Sequence, residues 1–308
     1  MVLALLMLGW TGYAVFTQLS FSSAEGQTLL FQKIVPIWEN SALGCRIVAM
    51  LMILLELLFV QRFYSLNKFS DNQSFMPTLL FLVFLNVSGM LTVFTPAWFT
   101  VFTLTFLLLY NLRDNNEKPV KNRILASGAL VALATLLDFH AVWLVFFLIC
   151  ALAANRFTKI KDVLILFAGA LLVYVYVFTF HFLRGSMHEW SLSYAHYQFF
   201  EVIKSIPSLK VLDYVLMGYL LVSTIYVVTL LKLFYDNKLI ILRKRFVTIV
   251  LLTIASVAMV LFTSLNFRLG LAYLLIPMTL VYSMLSNIKR RKFLHDLLFI
   301  ALVVLLCL

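Results

Sequence analysis

Apolar residues fill this chain in blocks of roughly 15 to 20, with short charged gaps between them, and a bilayer core needs roughly 20 helical residues to cross it. The pattern predicts an all-α, polytopic helical membrane protein with candidate spans at 2–19, 42–61, 75–92, 97–112, 124–137, 141–154, 163–182, 213–234, 246–264, 269–287 and 294–308. The first, Met1 to Leu19, has no basic flank. It reads as a retained helix, although Ser22 and Ala24 offer the small-residue spacing of a cleavage site.

Composition removes the soluble alternative. Of 308 residues, 63% are apolar and 12% charged, against about 25% charged in an ordinary soluble domain. A folded globule could not hide that much apolar surface and keep a wettable exterior. The chain reads as a single integral membrane domain over 1–308, with no soluble domain, low-complexity segment or clear internal repeat.

The excess charge of +11 is placed as topology is encoded, in short gaps rather than on a basic face or arm, so no nucleic-acid partner is expected. One set of gaps holds 18 cations: Arg62, Lys68, Arg113, Lys118, Lys121, Arg123, Arg156, Lys159, Lys161, Lys232, Lys238, Arg243, Lys244, Arg245, Lys289, Arg290, Arg291 and Lys292. The other set, helix ends included, holds six: Lys33, Arg46, Arg184, Lys204, Lys210 and Arg268. The rule that cytoplasmic loops retain Lys and Arg puts the N-terminus inside and, with eleven spans, the C-terminus outside.

The same count interprets the 31-residue apolar run from Ile124 to Ala154. As one helix it would be about 46 Å long, and it would put the basic gaps 113–123 and 156–161 on opposite sides. As a hairpin of two arms, each of about 14 residues, it keeps both gaps inside and makes Asp138-Phe139-His140 an outward turn. Residues 75–112 read as a second short outward hairpin, opened by Pro77 and broken at Thr95-Pro96. Two outward segments, 20–41 and 183–212, mix aromatic and charged residues in the manner of elements lying in the interface.

Ionisable groups in or beside the spans are the candidates for chemistry. Glu56, in MLMILLELLFVQRF, reads either as a carboxylate paired with a neighbouring helix or reaching the inner interface, or as a proton or substrate site. Asp138 and His140 read either as a helix cap and interface anchor, or as a catalytic acid and base or ligands for a cation. Arg46, Arg184 and Arg268, on the side where arginine is scarce, read either as lipid anchors or as forked donors to a lipid phosphate. His181, His188, Glu189 and His196 match no zinc spacing, and Cys45, Cys150 and Cys307 are too scattered for one. No metal and no cofactor are expected.

Two stretches carry a likeness. PTLLFLVFLNVSGMLTVFTPAWFTVFTLTFLLLYNLRDNN (77–116) resembles the paired helices of the multi-pass C-class glycosyltransferase superfamily. ASGALVALATLLDFHAVWLVFFLICALAANRFTKIKDVLILFAGALLVYVY (126–176) resembles the part that follows, a Gly/Ala-rich helix, an outward polar kink, an apolar helix and a basic gap. The chain also resembles polytopic inner-membrane proteins, chiefly of the Bacteroidota type, encoded beside envelope glycan genes. The superfamily likeness implies a sugar linked to a lipid phosphate as substrate, and an acid in the first outward loop. That loop here holds Glu25 and Glu39 and no Asp, which leaves the acid's role to Glu39 or Asp138, or the chain as a non-catalytic partner of an enzyme.

Three functions follow as expectations. The first is a bacterial inner-membrane component of cell-envelope glycan or lipid-linked sugar handling, meeting membrane lipids and a polyprenyl-phosphate-linked sugar. The second is a transporter or flippase with Glu56 as its coupling residue, and the third a structural subunit held by other inner-membrane proteins.

Overall fold

The computed structural model describes residues 2–21, 42–67, 75–88, 90–91, 93–111, 120–154, 160–186, 188, 211–235, 240–261 and 270–285. Within them the fold is all-α, as the pattern predicts. Ten helices follow one another: α1 (Val2–Gln18), α2 (Ala42–Leu66), α3 (Met76–Val87), α4 (Ala97–Asn111), α5 (Val120–Leu137), α6 (Leu144–Ala154), α7 (Ile160–Leu183), α8 (Val211–Tyr235), α9 (Ile240–Leu261) and α10 (Leu275–Leu285). Short 3-10 turns lead into α6 (Phe139–Trp143) and α10 (Leu271–Leu274), and β1 (Ser20–Phe21) pairs in parallel with β2 (Val93–Phe94). Among the described residues two helical stretches, Arg46–Leu66 and Ile160–Leu183, are long and apolar enough to cross a membrane. The eleventh candidate span, 294–308, and most of the segments 20–41 and 183–212 lie outside the described residues.

Local sequence sets the breaks. Pro77 stands in the first turn of α3, where its missing N–H leaves no helical bond unmade. Thr95-Pro96 separates β2 from α4. The first arm of the 124–154 hairpin is longer than expected, because α5 begins at Val120 and takes Lys121 and Arg123 into its first turns. Straight-chain cations are good helix formers, and extension further back meets Pro119.

Burial follows helix position. From Gly270 to Met284 every residue is buried, so the 3-10 turn and α10 form the centre of the bundle, packed by α3, α8 and α9. A helix apolar on all sides belongs in such a place. On α2 the buried positions Ala49, Ile53, Glu56, Val60, Phe63 and Asn67 repeat at helical spacing, while Leu51, Leu58 and Leu66 face outward. α7 is the opposite case, with Ile160, Leu171, Tyr176 (71% exposed), Phe182 and Leu183 (78% exposed) on its outer surface.

α7 is held mainly by α5, through bare backbone. A methyl group on Gly128 would lie 2.0 Å from the Leu166 carbonyl oxygen, and one on Gly169 would lie 2.1 Å from that of Leu125. Glycine at both positions lets the helices approach to a distance no side chain permits. Farther along, the Thr135 and Tyr174 hydroxyls lie 2.6 Å apart, so α5 and α7 run in the same direction.

Contacts define two ends of the bundle. At one end Thr78 donates to Gln61 (3.0 Å), the Tyr64 hydroxyl donates to the Ser283 carbonyl (3.0 Å), and Arg245 donates to the Asn67 carbonyl (3.1 Å). Arg245 thereby places a cation at the C-terminal end of α2, where the helix dipole favours it. The opposite end holds the β1–β2 pair, the start of α4, the turn at Asp138 and the C-terminus of α7.

The last turn of α7 closes through Gly185, at φ 67, with Gly185 N donating to the Phe182 carbonyl (3.1 Å) and Ser186 N to that of His181 (3.0 Å). This is the paired 6→1 and 5→2 arrangement that favours glycine. A β-carbon on Gly185 would meet nothing within 4 Å, so Gly185→Ala carries only the conformational penalty. We expect it to cost about 1 kcal/mol, read as a small drop in the thermal midpoint of the purified protein.

Candidate functional site

Asp138 links two helices through its backbone before its side chain is considered. Its N–H donates to the Ala134 carbonyl (2.7 Å), ending α5, and its carbonyl accepts from Ala141 N (3.1 Å), opening the 3-10 turn. The backbone between is extended, at φ −139 and ψ 108, the conformation of an N-cap. Oδ1 accepts from the His140 backbone N–H (3.1 Å) and lies 2.9 Å from His140 Nδ1. Oδ2 accepts from Thr100 Oγ1 (2.6 Å) at the start of α4 and from Tyr273 Oη (2.7 Å) in the turn before α10.

All four residues are buried, Asp138 at 3% exposure and His140 at 6%. With Nδ1 carrying a proton, His140 completes four hydrogen bonds to the carboxylate, close to all that its lone pairs accept. Burial alone would raise the Asp138 carboxyl. The hydrogen bond and charge attraction of His140, with the hydroxyls of Thr100 and Tyr273, outweigh that and hold it below its ordinary value. Such an acid is a clamp joining α4, the α5–α6 turn and the approach to α10. In this arrangement the carboxylate's acceptor positions are taken by donors from the chain itself.

Glu56 is built differently. It is 2% exposed on the inner face of α2, and its Oε2 accepts from Thr105 Oγ1 (2.6 Å) on α4. Its Oε1 is buried with no hydrogen-bond partner among the described residues. Phe59, on the next turn of α2, packs edge-on against Phe102 and Phe106 and fixes α2 against α4 around the acid. One helix therefore carries a hydroxyl to each of the two acids, Thr100 to Asp138 and Thr105 to Glu56. Five residues separate them, about 7.5 Å along the axis.

The arginines stay apart from these acids. Arg46 is half-buried in the first turns of α2, and Arg184 is exposed at the end of α7 with its guanidinium carbon 4.4 Å from the centroid of the Phe180 ring. Neither is among the partners of Asp138. Arg268, Glu25, Glu39, Glu189 and His196 lie outside the described residues. His181 is buried, with Nδ1 2.8 Å from Ser186 Oγ, and His188 is exposed. Among the described residues no three His, Cys, Asp or Glu side chains gather as metal ligands.

Sequence reading named both acids and missed their partners. Tyr273 carries a signal, a polar tip inside the apolar run LAYLLIPM, but Thr100 and Thr105 look like any threonine bonded back to its own helix. Compared with protein-family models, curated proteins and solved structures, the chain matches none.

Proposed function

We propose that the chain is a multi-pass protein of the bacterial inner membrane, with eleven spans, its N-terminus inside and its C-terminus outside. Its work in this reading is the handling of a lipid-phosphate-linked sugar for cell-envelope glycan, on a glycosyltransferase-like scaffold in which Asp138 locks helices together. The proposal rests chiefly on the sorting of cations between the two ends of the bundle. Arg62, Lys121, Arg123, Lys161, Lys232 and Arg243 to Arg245 lie toward the end where Arg245 meets Asn67, while Arg46 and Arg184 lie toward the Asp138 end. Charge sorted this way across a helical bundle accords with retention of Lys and Arg in cytoplasmic loops. The apolar outer surface of α7 is suited to hydrocarbon.

The few outward arginines then have a use. Arg184, held over Phe180 at the end of a long apolar helix, stands where an anionic head group would be, and its planar fork suits phosphate. Native mass spectrometry of the detergent-solubilised protein with a polyprenyl phosphate tests this. We expect a one-to-one complex, weakened about tenfold or more when Arg46, Arg184 and Arg268 are all changed to Gln, and little binding of the unphosphorylated polyprenol. Equal binding of the alcohol, or an unaffected triple variant, would refute the lipid-phosphate reading.

A further inference from the structure

Glu56 has a hydrogen-bonding capacity that the fold leaves unused. Oε1 is buried and unpartnered among the described residues. α10 and α9 meet the C-terminal end of α2 at Tyr64 and Asn67, about 12 Å or more along the axis from Glu56, while α1, α3 and α4 pack along it. Among their described residues, α1 brings Tyr13, which is exposed, α4 brings Tyr110, and α3 brings no titratable group. On α2 itself Cys45 and Arg46 stand near its start, Arg62 is exposed about 9 Å along the axis, and Tyr64 is turned to Ser283. The described residues of α1, α3 and α4 include no lysine, arginine or histidine, and Arg245 of α9 is bonded to the Asn67 carbonyl. An ionised carboxylate in that position costs several kcal/mol, whereas a carboxylic acid is neutral and gains a donor.

Thr105 supplies the second half of the argument. Its one hydroxyl proton has two acceptors, Glu56 Oε2 at 2.6 Å and the Val101 carbonyl at 3.3 Å. With Glu56 protonated, the acid O–H donates to Thr105 Oγ1 and the Thr105 proton turns to Val101, so every proton has a place. With Glu56 ionised, Thr105 must donate to Oε2, the Val101 bond is lost, and Oε1 remains without a donor. The two states differ by one proton on Glu56 and one rotation at Thr105.

We propose that Glu56 and Thr105 form a reversible proton-binding site within the bundle, Glu56 carrying the proton and Thr105 switching partners as it leaves. The site does not depend on the lipid-phosphate reading, and it adds proton exchange to whatever the outward end binds.

The test uses the full chain in lipid nanodiscs and dicyclohexylcarbodiimide, an apolar reagent that adds to protonated carboxylic acids. Peptide mass spectrometry should find the adduct on Glu56 at neutral pH, and none at that position in Glu56→Gln. The rate should fall about tenfold per pH unit once deprotonation is passed. Because the reagent must also reach a packed site, infrared spectra provide a second reading. The carbonyl band of a protonated acid should be present at neutral pH, fade as the medium becomes alkaline, and be missing in Glu56→Gln. Such a band with the expected pH dependence supports the site even where the reagent fails to enter. Absence of a Glu56-dependent band, or a band and adduct yield unchanged across the pH range, overturns it.

Discussion

Asp138→Ala should destabilise the folded chain by about 3–5 kcal/mol, the largest loss expected here from any single side-chain truncation. The change removes the common acceptor of four hydrogen bonds without supplying another. Thr100 can turn its hydroxyl back to its own helix, and Tyr273 Oη keeps His140 Nδ1 at 3.4 Å, but the acceptor shared by α4, the 3-10 turn and the approach to α10 is gone, and a cavity is left in its place. Asp138→Asn should cost less, since its oxygen still accepts and both hydroxyls can accept from its amide. Unfolding in detergent, followed by heat or by a denaturing detergent, measures both variants. Comparable stabilities of Ala and wild-type protein would mean that the clamp does not hold these elements together.

The same residue gives an acid-dependence of known sign. The Asp138 carboxyl, in the turn between α5 and α6, is held below its ordinary value in the folded chain. Its stabilising contribution is therefore complete above the unfolded carboxylate value of about 4, and is lost as pH falls through the lower folded value. Asp138→Asn should remove that acid transition from a plot of unfolding midpoint against pH.

Gly169→Val is the second large effect. A β-carbon at that position already falls 2.1 Å from the Leu125 carbonyl oxygen, and the obstacle is backbone, which cannot rotate away. Overpacking commonly costs about 1–3 kcal/mol, and a rigid obstacle places this change at or above the upper end. Gly128→Val should behave alike, because Gly128 meets the Leu166 carbonyl from the other side. Cysteine pairs bridging α5 and α7 report the separation directly, since a widened gap lowers the yield of cross-link. Retention of the cross-link and of the unfolding midpoint in Gly169→Val would contradict the close approach.

Much of the architecture was legible in the residues because apolar length and the position of cations act locally. Proline at 77 and 96 and the cation-rich gaps marked where helices stop, and ten of the eleven candidate spans coincide with a helix. Asp138 was readable as a cap because an N-cap is decided by the next two or three residues. What stayed hidden was contact between distant parts of the chain. Tyr273 reaches Asp138 across 135 positions, and nothing local to LAYLLIPM names its partner. The approach of Gly128 to Gly169 is equally silent, as glycine within an apolar run looks the same whether it faces lipid or another backbone. Glu56 was conspicuous, but that one of its oxygens has a partner and the other has none is a property of packing.

The bare contact between α5 and α7 has a mechanical consequence. Two backbones that touch carbonyl to α-carbon have no cushion of side chains in which to slip, so neither helix can twist or slide without taking the other along. A displacement of α7, whose last turn leads to Arg184, would thus carry α5 and the turn at Asp138 along with it, although Arg184 and Asp138 share no bond.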